Sequence, residues 1–250
     1  MNFLSLYKRK FLYKIKKKIN IDEQTFHNQN LEKIFSYYGT DKSSTFNDGN
    51  NKGHGFTKFY EEHFFKLRNK EINILEVGSY SGASAAAFSK YFPNSKVFCL
   101  DVNISNFKYS SKKIKVFGLD VSQKKMIDKF FKEIKVERSD NFFDIIIDDG
   151  SHKLGDILIT FKYLFDNLRK NGFYVIEDYK FPNYFKHLDD IAHDKIDLMI
   201  DNLKNKKIFN SNILDESFQK KLHNSIKNIS VHQGNSEHSN IAFIEKNVQF

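Results

Sequence analysis

The chain has no tryptophan, one cysteine and two prolines among 250 residues. The single thiol, Cys99, excludes an intramolecular disulfide framework and any zinc site built on several cysteines. Two prolines and eleven glycines exclude a collagen-like or proline-rich architecture. Long apolar runs are also missing. The longest, at 97–100 and 173–176, reach four residues, far short of the ~20 that a membrane-spanning helix needs. No continuous apolar segment and small-residue cleavage site follow the first basic residues, so no secretory signal is expected. The nine histidines show no H-E-x-x-H spacing, and no G-x-G-x-x-G is present.

Hydrophobic residues make up 40% and charged residues 28%, which excludes wholesale disorder. The length fits one large domain, or one domain with an appendage. The formal net charge of +9 is unevenly spread. Residues 1–20 hold six lysines and Arg9 and no acid, which leaves only +2 over the other 230. A nucleic-acid footprint across the whole domain is therefore not expected. In the basic segment the cations alternate with Phe3, Leu4, Leu6, Phe11, Leu12, Ile15 and Ile19. A basic amphipathic helix of this kind can lie on an anionic membrane, whereas many short basic stretches are only solvated extensions. No motif residue lies in 1–20, so this leader is expected to be dispensable for chemistry.

From residue 72 onward, apolar runs of strand length recur at 72–77, 96–101, 114–119, 143–148 and 173–177. They show little alternation, as in strands covered on both faces. Helical stretches at 83–91, 122–135 and 153–168 separate them, and the last carries apolar residues at a helical period from Leu154 to Leu168. The alternation predicts a doubly wound, mostly parallel sheet. A further helix is expected over 185–203, and late strands near 226–231 and 241–245. The expected organisation is a basic leader (1–20), a helical and loop cap (21–70, with a Gly/Asn-rich stretch at 47–55) and a main domain (71–250).

Residues 74–84 read I-L-E-V-G-S-Y-S-G-A-S. Gly78 and Gly82 let the backbone turn sharply and approach a ligand, and the helix beyond them favours an anion. Asp101 follows the next strand, 23 residues after Gly78, where a carboxylate can accept bonds from both ribose hydroxyls. Asp120 follows the third. Any α/β domain has glycines in its first turn, but with Glu76 before them and two strand-end acids after them a nucleotide-like ligand is expected.

E-V-G-x-x-x-G, C-L-D and F-D-I-I-I-D-D together resemble a class I S-adenosylmethionine-dependent methyltransferase over about residues 70–180. The resemblance implies a Rossmann-like sheet of seven strands with an antiparallel C-terminal strand and helices on both faces. It implies cofactor contacts at Glu76, Gly78, Ser79, Tyr80, Gly82, Asp101, Asp120 and Asp148. The methionine part would lie by the glycines, the ribose by Asp101 and the adenine by Asp120.

The fourth strand ends in Asp148-Asp149-Gly150-Ser151-His152 and the fifth in Glu177-Asp178-Tyr179. Parallel strands put both carboxyl ends at one edge, where ligands bind. Asp149, Glu177 and Asp178 converging there would repel unless a cation neutralises them, and oxygen ligands suit Mg²⁺ or Mn²⁺. His152, three residues after Asp149, can serve as a general base. The competing reading is local: Asp149 or Ser151 as a helix cap, Glu177 or Asp178 as a loop start.

D-D-G-S-H with Y-V-I-E-D-Y is similar to the metal-dependent sugar O-methyltransferases, of the macrolide deoxysugar and the bacterial capsule or lipopolysaccharide types. That family also carries Y-G-T-D-K, a following His and T-x-x-Y-E, here Tyr38–Lys42 in sequence, His54 and 57–61. Phe56 stands where relatives often carry Tyr. The resemblance implies substrate contacts at Tyr38, Thr40, Lys42, Tyr60 and Tyr179. It implies methyl transfer to a sugar hydroxyl, with a nucleotide-activated or polymer-linked sugar of a bacterial surface glycan as substrate. The expected setting is cytoplasmic, with peripheral contact to anionic membrane through 1–20, no nucleic-acid partner and a homo-oligomer as one arrangement. Lys42, Lys153 and Lys180 could meet a phosphate or be solvated surface lysines. Three rivals remain: a methyltransferase of RNA or a phosphate-bearing group, a non-catalytic membrane-associated subunit of glycan assembly, and a dinucleotide oxidoreductase.

Overall fold

The computed structural model describes residues 3–26, 29–46, 51–137, 141–191 and 193–247. Residues 1–2 of the expected leader and 47–50 of the Gly/Asn-rich stretch lie outside the described residues. The main sheet is formed by β1 (Ile72–Val77), β2 (Ser95–Asp101), β3 (Ile114–Gly118), β4 (Phe143–Asp148), β5 (Leu168–Glu177), β6 (Ile226–Gln233) and β7 (Asn240–Lys246). Its order is β6-β7-β5-β4-β1-β2-β3, as a mostly parallel, doubly wound sheet requires. The chain clusters into two compact units, Met1–Asp120 with Gly234–Ser236, and Val121–Gln233 with Glu237–Phe250.

In the first unit β1 pairs with β2, and β2 with β3, all parallel. Apolar runs put Ile72, Ile74, Leu75, Val77, Val97, Phe98 and Leu100 in the core. The helices are α1 (Phe3–Ile15), α2 (Leu31–Tyr38), α3 (Thr57–Phe64) and α4 (Ala83–Tyr91). Asn30 caps α2 through Lys33 N–H, and Gly39, at φ 73°, ends it in the left-handed conformation. Phe35, Tyr60, Phe64, Phe88 and Phe92 form one aromatic cluster joining α2, α3 and α4. The first helix is an integral element of this unit. It packs against the turn Ile104–Asn106 and β3, its Leu6 is buried, and Arg9 and Lys16 donate to the carbonyls of Val102 and Ser105. Residues 19–20 then run parallel to 109–110.

In the second unit β4 pairs with β5 in parallel, and β7 runs antiparallel to both β5 and β6. Its helices are α5 (Lys124–Ile134), α6 (Leu154–Leu164), α7 (Phe181–Tyr184), α8 (Ile196–Lys204) and α9 (Glu216–Ser225). The single helix expected over 185–203 is instead split. Pro182 starts the short α7, a 3₁₀ turn covers Lys186–Leu188, and α8 begins only at Ile196. Between them Asp189 pairs with His193 at 2.8 Å and Asp190 accepts from Gly155 N–H at 2.9 Å. These polar residues serve contacts within the loop and to the first turn of α6, not a helical face. The sequence also does not announce α9, which Asp215 caps through Phe218 N–H at 3.0 Å, nor the early start of β5 at Leu168.

Candidate active site

The loop between β1 and α4 holds three left-handed residues within five: Gly78 at φ 84°, Tyr80 at 40° and Gly82 at 78°. Glycine adopts this conformation readily; tyrosine does not, so Tyr80 stores local strain that the surroundings must maintain. Asp101 maintains it. Its carboxylate accepts from Tyr80 N–H at 2.8 Å and from Asn103 N–H. At Gly82 a side chain is excluded, because a Cβ there would lie 2.4 Å from the Phe107 ring. The α4 N-terminus has no side-chain cap, which leaves its amide dipoles available to an anion. Below the loop, Glu76 is fully buried and accepts from Ser84 Oγ, and Ser79 Oγ donates to Glu76 O at 3.2 Å. Asp120 lies two residues past β3, half-buried, and β1–β3 run parallel, so Gly78, Asp101 and Asp120 share one edge of this unit.

The residues fit a nucleoside cofactor. A strand-end carboxylate pre-oriented by two amides can accept from a vicinal diol, and an uncapped helix start beside a bent glycine loop suits a carboxylate. Cys99, between these elements on β2, is buried, and burial pushes its thiol pKa up, so it is inert as a nucleophile.

In the second unit the parallel β4 and β5 bring their carboxyl ends together. Asp149, His152 and Asp178 offer ligand atoms that all lie within 4.8 Å of one another. No other group of this kind occurs among the described residues. His152 Nε2 lies 3.8 Å from Asp149 Oδ1, and its ring packs at 5.0 Å against Phe181. Both His152 (φ 56°) and Asp178 (φ 49°) are non-glycine residues in the left-handed region. Each is turned out of the regular path at the point where the cluster forms. The two carboxylates suit a hard divalent cation, whose ligands are oxygens, with the His152 imidazole beside them as a candidate base; Asp178 is buried. Glu177, the residue before it, is buried at the end of β5 and is not one of the three converging groups.

Of the two residues in the competing capping reading, Ser151 makes a local bond at the start of α6. Ser151 Oγ accepts from Lys153 N–H at 3.3 Å, while Asp190 accepts from Gly155 N–H in the first turn of α6. Asp148, beside Asp149, is buried, and burial pushes its carboxyl pKa up to about 8. Its carboxyl takes the Tyr174 hydroxyl at 3.4 Å. This is the only one of the eight residues expected at the cofactor that belongs to the second unit.

The residues expected at the substrate are mostly interior. Tyr38 is buried, donates to Gln24 Oε1 at 2.6 Å and edges Tyr109. Tyr60 belongs to the aromatic cluster of the first unit. Thr40 is buried, its Oγ1 3.4 Å from Lys42 N. Lys42 is buried, not a solvated surface lysine. The Y-G-T-D-K segment is tied to 53–56 by backbone bonds from His54 N–H to Asp41 O and from Phe56 N–H to Lys42 O. His54 stacks on the buried Phe56 at 5.2 Å. Tyr179, in the second unit, is buried, and burial raises its phenol pKa. Sequence reasoning did not single out Phe181, Asp190 or Phe107; their roles depend on contacts between segments distant in sequence or on a loop's return path.

Comparison with known proteins identifies the fold. A crystal structure of the methyltransferase MycE from the mycinamycin biosynthetic pathway, in complex with Mg and SAH, superposes with a TM-score of 0.65 at 24% identity, covering 88% of this chain and 55% of that one. The fold is that of the class I methyltransferases. In sequence, the chain is 36% identical over 132 residues to the 8-demethyl-8-(2-methoxy-alpha-L-rhamnosyl)-tetracenomycin-C 3'-O-methyltransferase of Streptomyces olivaceus, covering 50% of this chain and 32% of that protein. It is 34% identical over 139 residues to the L-olivosyl-oleandolide 3-O-methyltransferase of Streptomyces antibioticus, covering 53% and 34%. The matched segment thus spans about a third of the length of these curated relatives. No protein-family profile matches the chain.

Proposed function

We propose that this chain carries a metal-dependent O-methyltransferase that uses S-adenosylmethionine and acts on a sugar hydroxyl. The observation that carries the reading is the meeting of Asp149, His152 and Asp178 within 4.8 Å at the carboxyl ends of β4 and β5. Similarity to sugar O-methyltransferases and to a methyltransferase solved with Mg and SAH supports it.

The cofactor would supply an electrophilic methyl group, held at the glycine loop with Asp101 accepting from its ribose. Glu76, Ser79, Tyr80, Asp120 and Asp148 are the further proposed contacts. A divalent cation, Mg²⁺ or Mn²⁺, would supply positive charge that lowers the pKa of a bound hydroxyl. Asp149 and Asp178 are its proposed ligands, with Glu177 as a third that must turn toward them. His152 takes the hydroxyl proton at a ring nitrogen, and Phe181 holds the imidazole in place. The cation's demand for two oxygens favours a vicinal diol on the sugar. Tyr38, Thr40, Lys42, Tyr60 and Tyr179 remain the proposed substrate-side residues, Tyr38, Thr40 and Tyr60 acting by shaping the loop around Lys42.

The sugar's carrier is the finer part of the proposal. A nucleotide or a bacterial surface glycan is one class; the relatives' names, which place their sugars on tetracenomycin C and oleandolide, support small glycosides as a second. A cytoplasmic reaction fits either. Transfer of labelled methyl from S-adenosylmethionine to a panel of nucleotide sugars, oligosaccharides and rhamnosyl or olivosyl glycosides, with and without chelator, tests the reading. Cation-dependent methylation of any sugar supports it. Methylation of RNA or protein alone would reject it, as would no turnover with any sugar despite bound cofactor.

A further inference from the structure

The first helix uses one face to hold the domain and leaves a second apolar face uncovered. Leu6, Arg9, Tyr13 and Lys16 point inward: Leu6 is buried, Tyr13 edges Phe107 at 6.4 Å, and the two cations end on the carbonyls of Val102 and Ser105. Tyr7, Phe11 and Ile15 recur every four residues and so share one stripe. They are 68%, 57% and 62% exposed, and Ile19 just beyond the helix is 52% exposed. An amphipathic helix packed on a globular domain ordinarily turns such residues toward the core; here the core-facing side is already taken by other residues.

Charge is arranged around this stripe. Residues seven apart differ by only about 20° around a helix. Lys8 therefore lies beside Ile15, and Lys14 beside Tyr7, one on each flank of the stripe. Both are exposed, as is Lys17 after the helix. No acid occurs in residues 1–20. Bulky apolar side chains between lysines, in a segment without acids, are complementary to a surface that offers hydrocarbon beneath anionic groups. A protein surface matching this stripe would need its own acidic rim; an anionic bilayer supplies both features at once.

We propose that the outer face of α1 docks on an anionic membrane surface, with Tyr7, Phe11, Ile15 and Ile19 entering the interface and Lys8, Lys14 and Lys17 meeting lipid phosphates. The docking is peripheral: among the described residues no helix is long and apolar enough to cross a membrane. It does not depend on the activity proposed above, because Tyr7, Lys8, Phe11, Lys14, Ile15 and Ile19 belong to neither candidate cluster; Lys17 alone lines a cavity with Tyr80 and Phe107.

The test is co-sedimentation of the full chain with vesicles of phosphatidylcholine alone and of equal parts phosphatidylcholine and phosphatidylglycerol, at low and high salt. Binding is expected only with phosphatidylglycerol, weakening as salt rises. The double variant Phe11→Ser/Ile15→Ser should lose about ten-fold or more of that binding while its melting temperature is unchanged. Lys8→Glu/Lys14→Glu should lose it too, and decides the matter if the first variant unfolds. Absence of binding by the wild-type chain, or unchanged binding by a folded variant of either kind, overturns the proposal. So does light scattering that finds a dimer which Phe11→Ser/Ile15→Ser converts to monomer, since a second copy would then be what covers the stripe.

Discussion

The carboxylate of Asp101 accepts the Tyr80 backbone N–H at 2.8 Å, so the end of β2 holds the loop that follows β1 in its left-handed bend. One residue thereby does two things: it shapes the glycine loop and presents oxygen lone pairs at the sheet edge. Asp101→Ala should weaken S-adenosylhomocysteine binding by about 1–3 kcal/mol, the cost of losing charge-assisted hydrogen bonds. Asp101→Asn, which keeps one acceptor for Tyr80, should lose less. Titration calorimetry on both variants checks this, and equal affinity to wild type would remove Asp101 from the site.

Gly82 combines φ 78° with a Phe107 ring in the space a Cβ would fill. Gly82→Ala should therefore destabilise the fold by more than about 1 kcal/mol and weaken cofactor binding with it. Adding Phe107→Leu should recover part of the loss, because it relieves the clash but not the φ. Thermal melts of the single and double variants measure the recovery.

The packing of α1 changes the expectation for residues 1–20. Tyr13 contacts Phe107, and Phe107 faces Gly82. A chain starting at Ile21 should melt lower and bind S-adenosylhomocysteine more weakly than the full chain. Unchanged melting and affinity would return the segment to the role of a dispensable leader.

Cation and base should separate cleanly. Chelation should stop sugar methylation and Mg²⁺ or Mn²⁺ should restore it. Asp149→Ala and Asp178→Ala should lose Mn²⁺ binding measured directly by calorimetry, yet keep cofactor binding, because the loop at Gly78–Gly82 in sequence and Asp101 belong to the other unit. Glu177→Ala decides whether that residue joins them. His152→Ala should retain cofactor binding and lose about 10²–10⁴-fold in rate, with residual activity rising with pH as the substrate hydroxyl ionises unaided. Full activity in chelator would sink the metal site.

Lys246, buried on β7, donates to the carbonyls of Asp166 and Leu168 and to Asn141 Oδ1, with the Phe165 carbonyl also near at 3.4 Å. Lys246→Met strands these carbonyls and should cost about 2–4 kcal/mol of stability. Burial also lowers its ammonium pKa to about 8. Between pH 8 and the ordinary value of 10.5 the unfolded chain holds the proton that the folded chain has released. Wild-type stability should therefore gain from this group as pH rises through that window, and the Met variant should lack the gain. Denaturant titrations at pH 7.5 and pH 10 compare the two, a pair of conditions chosen from about the shifted and unshifted values.

The sheet was legible because its strands are short, mostly apolar stretches between turn residues. The runs at β1, β2, β3 and β4 fall within one residue of their observed ends. The region after β5 was not. An apolar period can be traced from Phe185 to Leu203, yet the polar stretch around Asp189, Asp190 and Asp194 breaks it, and Asp190 is drawn away to the first turn of α6. The candidate site divides in the same way. Asp149, His152 and Asp178 were visible as residue types at strand ends; the separation of Glu177 from them was not, because neighbours on a strand point to opposite faces unless the backbone turns, as it does at Asp178.

By itself the sequence determined the succession of the main-sheet strands along the chain, the glycine loop, the acids that follow the strands and the clustering of positive charge in 1–20. All of these are local: they depend on residue type and spacing along the chain. Tertiary structure decided which of those acids meet, which residues cap α6, and which side of α1 is left open. Those outcomes depend on backbone bends such as φ 56° at His152 and φ 49° at Asp178 and on packing between segments far apart in sequence. A linear pattern specifies that a face is apolar, but only the packed domain determines whether that face is already covered.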